Sequence, residues 1–306
     1  MRKWTTSNIP DIRGRSFVVT GTGGLGFEDA LALARAGATV ILAGRNPSKG
    51  AEAVARIKRD TPEADISFEV LDLADLASIA AFGERLRSQR DHLDVLINNA
   101  GVMTPPTRKV TSDGFELQFG TNYLGHFALT AHLLPLLRKG HDPRVVTLSS
   151  IAARDGRIAF DDLQATHNYK PMPVYSQSKL ACLMFALELQ RRSEAENWGI
   201  TSIAAHPGIS RTDLLPNGAG ALSVFGLARR ILWFLFQPAA QGALPTLFAA
   251  TSSEAKGGGY YGPDRLSETR GYPTVAKIPP AALDRQAAAR LWDISEQLAH
   301  VQFSNN

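Results

Sequence analysis

The chain reads as a doubly wound α/β fold, a mostly parallel sheet with helices on both faces, and three observations predict it. Short apolar runs recur at 17–20, 39–43, 66–71, 93–97, 144–149 and 200–205, with a weaker one near 259–261. Helical stretches separate them, the alternation expected when parallel strands are joined by crossovers. One of the strand-to-helix turns is rich in glycine. With 306 residues, 44% hydrophobic and 20% charged, the chain can bury a substantial core. No internal repeat, low-complexity segment or linker divides it, so one domain over 1–306 is expected.

The first unit spans FVVTGTGGLGFEDALALARAGATVILAGRN, residues 17–46. Phe17 to Thr20 is a short apolar, β-branched run, the form of a buried parallel strand. Gly21, Gly23 and Gly26 then satisfy G-x-G-x-x-G. An Ala/Leu-rich stretch follows and stops at Ala36-Gly37, a helix C-terminal signal. A second strand runs from Thr39 to Ala43. Strand, glycine turn, helix, strand is the context in which this spacing signals a dinucleotide site of the Rossmann type. Glycines let the backbone approach a pyrophosphate, and the helix N-terminus favours its charge. Gly21, Thr22, Gly23, Gly24, Leu25 and Gly26 are therefore candidate cofactor residues.

The end of the second strand usually carries an acid for a ribose 2′-hydroxyl. Here it holds Gly44-Arg45-Asn46. An arginine fork suits a 2′-phosphate, which an acid would repel, so Arg45 favours NADP (NADPH) over NAD. Lys49 reads as a solvated loop charge.

Further along, Leu71-Asp72-Leu73 and Asn98-Asn99-Ala100-Gly101 follow strands, where Asp, Asn and Gly also serve capping and turns. Asn122 lies in a helical stretch, roughly 113–137, where asparagine is mildly unfavourable. Ser149-Ser150 ends the fifth strand. Tyr175 and Lys179 form Y-x-x-x-K, and residues four apart share a helix face. A free tyrosine has a pKa of about 10. A cation beside it favours phenolate and makes the group usable as a general acid or base.

Other features restrict the function. The net charge of +4 and pI near 9.3 are mildly basic, but the charges are dispersed, so no nucleic-acid partner is expected. The single cysteine, Cys182, cannot form an internal disulfide and reads as a buried helix residue. The first residues lack the apolar core of a signal peptide, so a cytoplasmic location is expected. His126, His132, His141, His167 and His206 form no HExxH pair or cysteine cluster, and no metal is assigned. The stretch 221–236 is very apolar but interrupted by Arg229 and Arg230, and too short to span a bilayer. Lining an apolar pocket, peripheral membrane contact and packing on a subunit are its three readings. Tyr260-Tyr261-Gly262-Pro263 and an amphipathic helix about 281–300 are expected to close the pocket side or a subunit contact.

Taken together, these motifs resemble the short-chain dehydrogenase/reductase family over nearly the whole chain, most closely its retinol-dehydrogenase-like and protochlorophyllide-reductase-like branch. The series is the glycine turn at 20–26, GRN at 44–46, LDL at 71–73, NNAG at 98–101, Asn122, SS at 149–150, YSQSK at 175–179 and HPGISRT at 206–212. The resemblance implies a cofactor half about 14–150, a catalytic and substrate half about 150–275, and the C-terminal helix. By it, Asp72 with Leu73 holds the adenine, and Asn99, Ala100 and Gly101 flank the adenosine ribose. Asn122 breaks its helix and helps hold a water in a proton relay. Ser150 rather than Ser149 steadies the substrate oxygen, Tyr175 exchanges its proton, and Lys179 assists while holding the nicotinamide ribose. Pro207, Gly208, Ile209 and Thr212 bracket the carboxamide. The family loop T-G-x-x-x-G-x-G is one residue longer than Thr20–Gly26, so the turn either carries a gap or follows the shorter form.

The resulting expectation is an NADP(H)-dependent oxidoreductase moving a hydride between nicotinamide and a carbonyl or alcohol of an apolar small molecule. A catalytically silent NADP(H)-binding regulatory or scaffold protein, and a reductase of an activated C=C bond, are the alternatives. Family members commonly pair through the YxxxK helix. The apolar face of 180–189 suits such a homo-oligomer and equally suits burial on the sheet.

Overall fold

The computed structural model describes residues 3–210 and 237–303, so Thr212 and the apolar stretch 221–236 lie outside the described residues. The strands are β1 (Ser16–Thr20), β2 (Thr39–Gly44), β3 (Ile66–Val70), β4 (Val95–Asn98), β5 (Arg144–Leu148), β6 (Thr201–Ala205), β7 (Tyr260–Arg265) and β8 (Arg270–Val275). Among the described residues they form one eight-stranded sheet in the order β3-β2-β1-β4-β5-β6-β7-β8. Neighbours from β3 to β7 are parallel, and β8 returns antiparallel to β7. All seven expected strands form; β8 is an addition. Its sequence, RGYPTV, carries a proline and a glycine, which mask a strand but suit an edge.

The longer helices are α1 (Gly24–Arg35), α2 (Pro47–Asp60), α3 (Leu76–Gln89), α4 (Gly125–Leu137), α5 (Pro171–Ala195), α6 (Leu244–Thr251) and α7 (Arg285–Ala299). Several starts are written in the chain. The Asn46 side chain accepts from Lys49 N–H with Pro47 in the first turn of α2. Asp75 accepts from Ala77 and Ser78 at α3, and Asp284 from Ala287 at α7. Each such cap is worth about 1 kcal/mol. The stretch 113–137 is not one α-helix: a π-helical turn, Phe119–Leu124, precedes α4 and contains Asn122.

Buried strands alternate their side chains between two cores. Val18, Leu96, Val145 and Ala204 face α3, α4, α5 and α7. Phe17, Val19, Val95, Ile97 and Ile203 face α1, α2 and α6. The C-terminal helix is used within the chain. It packs on α4 and α5, with the Trp292 ring 5.0 Å from Phe127 and 5.7 Å from Phe185. The apolar face of 180–189 is thereby used within the chain, between sheet and α7. No helix among the described residues is long and apolar enough to cross a membrane.

Two outcomes follow from this packing. Trp292→Ala should destabilise the fold by about 3–5 kcal/mol in denaturant titration, the cost of emptying a large aromatic site. Asp29 of α1 is fully buried, and neither carboxyl oxygen has a hydrogen-bond partner. Burial, with Glu28 adding to it, pushes its pKa well above the ordinary value. An acid raised on folding contributes stability below its unfolded pKa and loses it as pH rises through the folded one. Asp29→Asn should remove that slope: its Tm should exceed that of the parent at pH 8, and the gap should close near pH 4.

Candidate active site

The nucleotide end begins with Thr20, fully buried at the C-terminal end of β1. Its hydroxyl accepts from the N–H groups of Asn99 (2.9 Å) and Ala100 (3.0 Å), while Asn99 Nδ2 donates to Thr20 O at 2.6 Å. The glycine turn is thus tied to the loop after β4. Gly21 turns the chain at φ +97°, a conformation that favours glycine. Gly26 faces back into the turn: a Cβ there would stand 2.3 Å from Gly21 O and 2.6 Å from Asn99 Nδ2. The loop therefore takes the shorter G-x-G-x-x-G form. Gly21 makes the turn and Gly26 allows the helix to pack against it. A Cβ on Gly23 would meet nothing within 4 Å, so the turn presents open backbone at the start of α1.

A cavity of about 930 Å³ runs along the C-terminal ends of the strands. Gly21 to Leu25, Arg45, Asp72, Leu73, Asn99 to Gly101, Tyr175, Lys179 and Pro207 all line it. These positions come from six separate segments that the sequence could order but not assemble. The residues fit a dinucleotide: backbone is open at Gly23, the cavity crosses the β1–β4 switch point, and a cation stands at each end. Asp72 Oδ1 also accepts from Ala74 N–H, so its carboxylate is held in a local turn.

At the other end, Tyr175 and Lys179 are each 5% exposed on α5. The Lys179 ammonium donates to Leu148 O at 3.0 Å. It has three N–H groups, so two remain for other acceptors. Asn122 is buried beside them. Its Oδ1 accepts from Val102 N–H (2.7 Å), and its Nδ2 donates to Val102 O (2.9 Å) and Ser178 Oγ (3.0 Å). The π turn frees its carbonyl, which accepts from His126 Nδ1 (2.9 Å) and Cys182 Sγ (3.2 Å). His126 Nε2 lies 2.9 Å from Thr20 Oγ1. Because the Asn122 carbonyl can only accept, Nδ1 carries the imidazole proton. Burial lowers the His126 pKa to about 4, which keeps the ring neutral. Cys182 is buried, as its sequence context implied, and burial raises its pKa.

The two serines separate clearly. Ser149 Oγ is buried and donates to Lys179 O at 2.8 Å, so its only proton is committed. Ser150 Oγ accepts from Ala152 N–H and caps a short 3-10 turn, Ile151–Asp155, leaving its own proton without an acceptor among the described residues.

Among the described residues, three expected cofactor residues, Gly26, Gly208 and Ile209, do not line the cavity. Gly26 packs on the turn instead. Gly208 turns the chain at φ +63°, where a Cβ would meet Thr269 O at 2.3 Å, and Ile209 N–H also donates to Thr269 O. Thr212 lies outside the described residues. Lys49, expected as a loop charge, stands in the first turn of α2 and lines the cavity with Asn46, Glu52 and Arg56. Lys49 and Arg56 lie seven apart on one helix face, a signal present in the chain. Val102, Met103, Pro105, Leu117 and Thr121 also line it. They belong to loop and π-turn segments whose path no periodicity announces.

At the opposite sheet edge, His92, Asp94 and His141 bring ligand atoms within 4.8 Å of one another. Asp94 is committed to its neighbours, accepting from Ser16 N–H, Ser16 Oγ and His141 N–H. It reads as an anchor between β1 and β5.

The family model described as short chain dehydrogenase matches residues 15–219. The chain belongs to the short-chain dehydrogenase/reductase family. Human polyprenol dehydrogenase is 42% identical over 252 residues, covering 80% of this chain and 75% of that protein. Mouse retinol dehydrogenase 12 is 38% identical over 305 residues, 97% and 90% of the two. A solved structure of an uncharacterized Mycobacterium paratuberculosis protein superposes with a TM-score of 0.82 at 39% identity, covering 99% of each chain. This short-chain dehydrogenase/reductase belongs to the retinol-dehydrogenase-like branch and is an oxidoreductase acting on CH–OH and C=O groups.

The close approach at Gly26 gives a direct test. Gly26→Ala should weaken dinucleotide binding by at least about tenfold in fluorescence titration. It should also cost about 1–3 kcal/mol of stability, because backbone rather than a flexible side chain would have to move.

Proposed function

We propose that the protein is an NADP(H)-dependent oxidoreductase of apolar alcohols and their aldehydes or ketones. The observation that carries this reading is the meeting of Tyr175 and Lys179 with Asn122 and the Gly101 loop at one end of the dinucleotide cavity. Binding alone requires no phenol there. When bound, a nicotinamide dinucleotide gives or takes the hydride. Tyr175 gives its phenolic proton to the carbonyl oxygen in reduction and takes it back in oxidation. Ser150 donates its free O–H to the same oxygen, where negative charge develops. Lys179, with two N–H groups unspent, binds the ribose hydroxyls.

Preference for NADP(H) is supported by Gly44-Arg45-Asn46, where no acid ends β2, and by Arg45, Lys49 and Arg56 lining the same cavity. Glu52 lies among them and opposes part of their charge. An apolar substrate is supported by Val102, Met103, Pro105 and Leu117 in the lining, and by relatives named for polyprenol and retinol.

NADPH oxidation at pH 7, across a size-graded panel of apolar aldehydes and ketones, tests the reading. NADPH should be favoured over NADH, and Tyr175→Phe should lower kcat by about 10²-fold or more. Arg45→Ala should raise the KM for NADPH by about 10-fold, the worth of one charge-assisted contact, and leave NADH nearly unchanged. Preference for small polar carbonyls, or turnover surviving in Tyr175→Phe, would overturn it.

A further inference from the structure

The turn between β7 and β8 is built against its own backbone preference. Leu266, Ser267 and Glu268 hold φ of 48°, 54° and 66°, three successive non-glycine residues in the left-handed region. Such strain persists only where surrounding contacts over-determine it. Here those contacts reach two other segments, each leading into the catalytic end of the cavity.

Glu268 is the hub. Its Oε2 receives His206 Nε2 at 3.0 Å and lies 2.7 Å from Arg154 Nη2, while its Oε1 accepts from Lys277 N–H. His206 is fully buried and immediately precedes Pro207, which lines the cavity. Gly208 N–H donates to His206 Nδ1, so the ring proton sits on Nε2 and points at the carboxylate. The Gly208 backbone packs so closely on Thr269 O that no Cβ fits, and Ile209 N–H donates to that same oxygen at 2.7 Å. The turn therefore grips residues 206–209 at three points.

Its second grip is on the segment that Ser150 opens. Arg154 closes the 3-10 turn that Ser150 caps, and it reaches both Glu268 and Ser267 O. Tyr260, on β7, donates its hydroxyl to Ser150 O at 3.3 Å and rests its ring 5.1 Å from His206. Gly262 leaves the space that the His206 ring occupies, since a Cβ there would meet Nε2 at 2.0 Å.

We infer that Glu268 is a positioning residue, which clamps the His206–Gly208 loop and the Ser150–Arg154 turn to one strained hairpin. The clamp fixes Pro207 and Ser150 relative to Tyr175. Glu268 itself does not line the cavity. The clamp rests on the proposed function only for the roles of the two segments; their mechanical coupling is independent of it.

The test compares Glu268→Ala, Glu268→Gln and Arg154→Met in the full chain, by hydrogen–deuterium exchange and steady-state kinetics. Without dinucleotide or substrate, Glu268→Ala should speed exchange in both 150–155 and 206–210, and Arg154→Met mainly in 150–155. Glu268→Gln keeps an acceptor for His206 and should restore protection at 206–210. With NADPH and the best aldehyde, Glu268→Ala should lower kcat by about 10–100-fold, as misplacement of reacting groups does, with a smaller change in KM for NADPH. Faster exchange confined to 260–275 would overturn the clamp, as would kcat equal to the parent in a folded Glu268→Ala protein. If the parent turns over no carbonyl, the proposed function fails, and exchange at the two remote segments still decides the clamp. If Glu268→Ala does not fold, the Glu268→Gln and Arg154→Met exchange patterns carry the decision.

Discussion

Everything at the site hangs on the buried hydroxyl of Thr20 and the contacts it makes at the gap between β1 and β4. The winding of the sheet reverses there, so crossovers leave from β1 toward one side and from β4 toward the other, and a crevice opens at the strand ends. A crevice alone is loose. Thr20 closes it chemically by accepting two backbone N–H groups from the loop after β4, while Asn99 returns a bond to Thr20 O. Gly26 closes it sterically, allowing α1 to press against the turn it leaves. A chain one residue shorter than the family loop can still cradle a dinucleotide because these contacts, rather than loop length, set the turn.

The same hydroxyl reaches the catalytic end through one imidazole. His126 lies between Thr20 Oγ1 and the Asn122 carbonyl, and burial keeps it neutral, so it can accept on one side and donate on the other. A protonated ring would have no acceptor facing it on the Thr20 side except the hydroxyl oxygen, which already serves two N–H donors. The π turn at 119–124 supplies the other requirement. In a regular α-helix the Asn122 carbonyl would be spent on the i+4 backbone N–H; here side chains of His126 and Cys182 take it. Nucleotide loop, Asn122 and the Tyr175 helix are therefore one hydrogen-bonded unit.

How much of this is legible in the chain depends on the range of the interaction. Strands β1 to β7 show as apolar runs because both sheet faces are buried, and the glycine turn shows because its geometry excludes side chains. Tyr175 and Lys179 show because four residues is a helical repeat. What stays hidden is non-local or breaks a local rule. Thr20 opens the glycine motif and His126 belongs to none, and no pattern pairs them; their value lies in being brought to 2.9 Å across a separation of 106 residues. Ser149 and Ser150 differ in where the hydroxyl proton goes, which residue types do not state. Lys49 and Arg56 were readable as one face of α2, yet only the fold shows that this face lines the cavity. Strand β8 was lost to its own proline and glycine, and α7 had an amphipathic pattern without an address.

That missed strand explains how one turn can reach both the Ser150–Arg154 turn and the loop after β6. In a parallel sheet every strand delivers its C-terminal end to the active-site edge, and a crossover then carries the chain away across a face. Only an antiparallel return keeps a short turn at that edge. The hairpin of β7 and β8 does this, and its tip projects a carboxylate toward two loops that belong to other strands. Left-handed backbone at three residues is the cost of aiming it there, offset by the ion pair with Arg154, the bond from His206 and the backbone contacts through Thr269. The interior of a parallel sheet offers no comparable short turn at this edge, so a positioning group that must touch both the serine turn and the loop after β6 has its natural place at the hairpin beyond β7.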